Sequence, residues 1–141
     1  APQLKLMKFQ LMLNFDMEND KFAQVTEDTF ALAKDFNPRA VFAIANMLLE
    51  GMKQNGNNEK LIGIGRKQIE GAIADFSGAE RAMGLHLQAQ YQELAGDIDA
   101  AIASQEEVLK LIEDLKQQQG GNPAMEKEMN QYLKKLKKSK K

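Results

Sequence analysis

Residues 79–115, AERAMGLHLQAQYQELAGDIDAAIASQEEVLKLIEDL, constrain the fold more than any other stretch of this chain. Met83, Leu87, Tyr91 and Leu94 recur at helical intervals, and Ile98, Ala101, Ile102, Val108, Leu109 and Ile112 do the same beyond Gly96-Asp97. Two amphipathic helices separated by so short a turn must run antiparallel. Asp97 is placed to cap the second of them and to complement its dipole. Such a hairpin leaves an apolar side uncovered, so the rest of the chain must supply its neighbours.

The remaining segments repeat that pattern. Residues 3–15 are dense in Leu, Met and Phe and hold no β-branched residue, which predicts a helix, and 21–36 predict a second, with helical spacings among Phe22, Val25, Phe30, Ala33 and Phe36. Asn37-Pro38 combines a capping side chain with a proline suited to the first helical position, so a third helix starts there with Val41, Ile44, Ala45, Leu48 and Leu49 on one face. Residues 51–58, GMKQNGNN, predict a loop. Residues 60–76 predict a fourth helix, although Gly63, Gly65 and Gly71 each cost about 1 kcal/mol relative to Ala in a helix interior. Asn122-Pro123 starts a last helix, to about Leu136, with Met125, Met129, Tyr132, Leu133 and Leu136 on one stripe. Second helices of successive pairs end near Phe36, Phe76 and Lys116, about 40 residues apart, a spacing typical of helical-pair repeats. The expected fold is all-α, with about seven helices as three stacked antiparallel hairpins plus a C-terminal capping helix, in a single domain over 1–141.

Length permits a core without staples, and the chain has no Cys, which removes disulfides, thiolate metal sites and thiol redox chemistry from it. The formal charge is −1, but Lys134, Lys135, Lys137, Lys138, Lys140 and Lys141 place six positive charges in the last eight residues. Taking these six from the 19 basic residues leaves 13 against 20 acidic ones, a body of −7 with a basic tail over 134–141. An acidic body argues against a broad nucleic-acid surface. No apolar run is long enough to span a bilayer. The opening Ala1-Pro2-Gln3, without an initiator Met, is read as the start of a processed protein or, by preference, of an excised piece of a longer one.

Chemistry-bearing constellations do not assemble. His86 is the only histidine and has no second His or Cys near it in sequence, so it is read as a structural or surface residue. Glu106-Glu107 and Glu113-Asp114 fall opposite the apolar stripe, as a solvated face. Gly63-Ile64-Gly65-Arg66 lacks both the third glycine and the preceding strand of a phosphate-binding loop. The eight methionines, among them Met7, Met12, Met125 and Met129, are read chiefly as core filling, with an adaptable apolar groove as the alternative. No catalytic residue, metal ligand or cofactor is expected.

Ala89, Gly96, Ala101 and the run GDIDAAI over 96–102 resemble the tetratricopeptide (TPR) repeat, in which small residues let paired helices pack closely. The segment YQELAG is one residue longer than that family's usual turn, Gln105 stands where an aromatic is common, and Val108 replaces an Ala. The order KFQLML, NPRAVFAIANMLLEG, the 79–111 segment and a Lys-rich last helix also resembles the helical region that follows the thioredoxin-like (redoxin) domain of some bacterial envelope proteins. The resemblance implies a scaffold or docking module, an envelope or periplasmic location, and redox cysteines upstream of this chain. From hairpin geometry, a protein or peptide partner is expected in a groove around Phe42, Asn46, Leu85, Gln88 and Gln92. The alternatives are a homodimerisation module and an electrostatic tether through the Lys-rich end.

Overall fold

The computed structural model describes residues 1–140 and is all-helical: α1 (Pro2–Phe15), α2 (Phe22–Phe36), α3 (Pro38–Asn55), α4 (Glu59–Ile73), α5 (Gly78–Leu94), α6 (Ile98–Gln119) and α7 (Pro123–Ser139). No strand occurs among the described residues. The predicted start signals act as local physics requires. Asn37 accepts a hydrogen bond from the Arg39 amide (2.9 Å), Asn122 from that of Met125 (3.2 Å) and Asp97 from that of Ala100 (3.4 Å), each satisfying a donor that a helix start leaves without a partner. Gly96, between α5 and α6, has a φ of 81°, the left-handed conformation that lets the chain reverse at this turn.

Helices group into two compact units, the first spanning Ala1–Ala72 and the second running from Ile73 onward. In the first, α1, α2 and α3 pack on one another. Phe9 and Phe22 stack with ring centroids 5.6 Å apart, and Phe30, Leu48 and Ala45 are fully buried. The buried hydroxyls of Thr26 and Thr29 donate to the carbonyls of Phe22 and Val25 one turn back, so neither is left unsatisfied. In α4 the buried residues are Leu61, Ile62, Gly65, Ile69, Ala72 and Ile73.

In the second unit α6 packs on both α5 and α7. Contacts step forward on one helix as they step back on the other: Arg81 with Glu107, His86 with Gln105, and Gln92 with Ser104. The α5–α6 pair is therefore antiparallel. Ala89, Ala101 and Leu136 form a cluster with Ile102 and Tyr132 against it, so small residues on α5 and α6 admit the side chains of α7.

Several expectations change. The 51–58 loop shrinks to three residues because α3 continues through Gly51 to Asn55. The reason is non-local: Gly51 is buried against α1, and a Cβ there would collide with the Leu13 side chain, its Cγ lying 2.6 Å away. Asn55 Nδ2 also donates to the Leu13 carbonyl at 3.2 Å. Phe36, among the apolar residues at helical spacing in α2, is 86% exposed, and Met83, expected on the α5 stripe, is 61% exposed. Second helices end at Phe36, Ile73 and Gln119, an uneven spacing. Lysines 134–138 belong to α7, and Leu136 between them is fully buried, so this part of the basic stretch is a docked helix. Lys141 lies outside the described residues.

The glycines of α3 and α4 carry a prediction. Gly63 and Gly71 face open space in exposed helical positions, so Gly63→Ala and Gly71→Ala should each stabilise by about 0.5–1 kcal/mol. Gly51→Ala gains the same propensity but must displace a buried leucine, and should destabilise by about 1 kcal/mol net. Urea unfolding of the three variants checks both signs.

Candidate docking groove

An apolar groove of about 540 Å³ lies between the start of α1, the end of α2 and the first half of α3. Leu6 from α1, Leu32, Ala33 and Phe36 from α2, and Ala40, Ala43, Ile44 and Met47 from α3 supply most of its wall. Its depth follows from the sequence. Alanines at 40 and 43 on the facing side of α3 keep that wall low, whereas Leu32 and Phe36, one turn apart on α2, build a high opposite rim. Polar groups are sparse: Gln3, Thr29, whose hydroxyl already serves the Val25 carbonyl, and Asp35, which is the only charged side chain in the lining. Such a site has the volume of a ligand pocket, with one carboxylate to orient what enters.

None of the five residues expected to form a groove lines this one. Phe42 and Leu85 are buried at 5% and 3% exposure and act in packing. Asn46 is exposed on α3 but outside the groove, although Ala43 and Met47 beside it line the wall. Gln88 and Gln92 are brought together by Ser104, which accepts from Gln88 Nε2 at 3.0 Å and donates to Gln92 Oε1 at 2.7 Å. Gln92 is buried, so this relay joins α5 to α6 and leaves little of it for a partner. Sequence reasoning overlooked Phe36, whose signal was an aromatic directly before the Asn37-Pro38 restart, where a helix end has little left to pack against.

His86 sits in the second unit's polar interior. Gln105 is fully buried with its Nε2 donating to the Met129 carbonyl at 3.1 Å and touching the Met129 sulfur at 3.5 Å, so its Oε1 is the atom facing His86 Nδ1 at 2.9 Å. Nδ1 must then be the donor of this bond. The Tyr132 ring meets the imidazole edge-on at 5.2 Å, and its hydroxyl donates to Glu93 at 2.8 Å. Burial first, then the hydrogen bond to Glu93 and its charge, push the Tyr132 phenol well above its usual range. Tyr91, fully buried, is raised by burial alone. Both phenols are thus held neutral, which suits them to structural hydrogen bonding and packing.

The remaining sequence candidates resolve as follows. Glu106 pairs with Lys137 (3.8 Å) and Glu107 with Arg81 (3.6 Å), on exposed surfaces, while Glu113 and Asp114 are exposed. Gly63 to Arg66 lie inside α4, with no strand before them. Met129 is buried as core filling requires, but Met7 and Met125 are half exposed. Of the terminal lysines, Lys135 reaches Glu93 (3.9 Å), Lys137 reaches Glu106, and Lys140 reaches Asp99 (2.7 Å). The Asp99 carboxylate, by hydrogen bond first and charge second, raises the Lys140 ammonium above its ordinary value. These pairs spend on the protein's own acids part of the charge that a tether would offer. No group of three or more His, Asp or Glu that could hold a metal ion occurs among the described residues, and no described helix is long and apolar enough to cross a membrane. Comparison with family models, with curated proteins and with solved structures finds no match to this chain in any of the three.

Proposed function

We propose that this chain is a non-catalytic protein-interaction module whose α1–α2–α3 groove takes an apolar segment of a partner. The single observation that carries the reading is the groove itself: about 540 Å³ of largely apolar wall, open to solvent, with an aromatic rim residue left 86% exposed. Exposed apolar surface rimmed by polar groups marks recognition sites, and a buried aromatic is a frequent anchor of them. Asp35 adds a charge preference, so the fitting segment carries Leu, Ile or Phe anchors at helical spacing with a Lys or Arg beside them.

The TPR-like organisation of stacked hairpins belongs to the same proposal. Its support is the α5–α6 pair, where Gly96 reverses the chain, Asp97 caps α6, and Ala89 and Ala101 are fully buried in a common cluster. Placement of the chain beside a thioredoxin-like domain rests on the sequence resemblance alone.

Selection from a displayed peptide library against the whole protein tests the reading. Sequences with apolar anchors at i, i+3 or i+4 and an adjacent base are expected to enrich. Ala43→Glu, a charge placed on an exposed lining position, should weaken the selected peptides by at least about tenfold without unfolding the chain. Absence of enrichment, or equal capture by the Ala43→Glu protein, would overturn it.

A further inference from the structure

A second surface of the first unit carries its own inference. Helix α1 is apolar on both sides: Phe9 and Leu13 are buried, while Leu4, Met7, Leu11 and Phe15 are 64%, 54%, 53% and 84% exposed. The exposed four recur at intervals of three, four and four, which aligns them as one seam over three turns, opposite the buried face. A helix with apolar stripes on opposite faces has a second stripe to cover once the first is buried.

The chemistry of the cover follows from charge and width. Between Pro2 and Phe15 the only charged side chains are Lys5 and Lys8, both on one flank of the seam, and the other flank holds Gln3, Gln10 and Asn14. A second copy laid seam to seam brings no acid within its own α1 to meet those lysines, as an interface that uses the same patch twice would require, and the Asp16 that caps the helix already accepts from the Asn19 side chain (2.9 Å). A lipid surface would satisfy the lysines, but interfacial helices present a broad apolar face, whereas this seam is one residue wide, the width that one helix offers another. We propose that the outer seam of α1 docks an amphipathic helix with acidic residues flanking its apolar stripe. This seam is distinct from the groove, and the inference does not rest on the groove's function.

The test uses the full chain and two synthetic helical peptides with the same leucine seam, one flanked by Glu and one by Lys, titrated by fluorescence anisotropy. The Glu-flanked peptide should bind about fivefold more tightly than the Lys-flanked one at low salt, with the difference shrinking as salt rises. The double variant Lys5→Glu/Lys8→Glu should invert that preference. Leu11→Ser, a change at an exposed position, should weaken both peptides several-fold, whereas Ala43→Glu should leave both unchanged, which separates this surface from the groove. Equal affinity for the two peptides, no binding of either, or indifference to Leu11→Ser would overturn the proposal. So would a concentration-dependent dimer lost in Leu11→Ser, which would make the cover a second copy, or binding to phosphatidylserine vesicles that the Glu-flanked peptide does not compete.

Discussion

Phe9→Ala is expected to destabilise the protein by about 3–5 kcal/mol, a large share of what a domain of this kind possesses. Phe9 is fully buried and stacks on Phe22, itself 1% exposed, so truncation removes both the transfer energy of the ring and its aromatic partner. The cavity would open between α1 and α2, the two helices whose spacing sets the groove. Loss of groove-selected peptides should therefore accompany loss of stability. Leu11→Ala on the same helix provides the control. At 53% exposure in the free protein it should change stability by no more than about 0.5 kcal/mol. Urea denaturation of the two variants side by side decides the matter, and equal costs would mean that the buried and exposed faces of α1 have been exchanged.

That contrast also shows what could and could not be read from residues alone. Helix starts were legible at Asn37, Asp97 and Asn122 because a cap is a bond between a side chain and an amide two or three residues away. The all-helical class was legible for the same local reason, through periodicity. Gly51 was misread because its reason to exist is Leu13 on another helix, and no local rule distinguishes a glycine that breaks a helix from one that admits a neighbour. The inward face of α1 was illegible because apolar residues surround that helix, so periodicity offers no choice between Phe9 and Phe15. The lysines of the last helix looked like a free tail because Glu93, Glu106 and Asp99, which receive three of them, lie more than thirty residues upstream. The α1–α2–α3 groove was not legible for a related reason. It depends on how α1, α2 and α3 converge, whereas the expectation assumed evenly stacked hairpins.

Gln105 bonds to two other helices of the second unit from one side chain, and its replacement is the other large effect to expect. Gln105→Ala should cost about 2–4 kcal/mol, since it opens a cavity in a fully buried position and removes the link that ties α6 to both His86 of α5 and Met129 of α7. Gln105→Leu keeps most of the volume and abolishes the same hydrogen bonds. It should cost less, about 1–2 kcal/mol, because the half-buried His86 can turn to water and the Met129 carbonyl lies within α7, where helical hydrogen bonding serves it. The difference between the two variants thus separates packing from hydrogen bonding at one site. A second readout is independent of stability. With Gln105 present, its Oε1 holds the His86 proton on Nδ1, so imidazole nitrogen NMR of the neutral form should show a single Nδ1–H tautomer. In Gln105→Leu that acceptor is gone, and the proton should redistribute toward Nε2. An unchanged tautomer in the leucine variant would show that Gln105 does not orient His86 and that its long-range role is the bond to Met129 of α7.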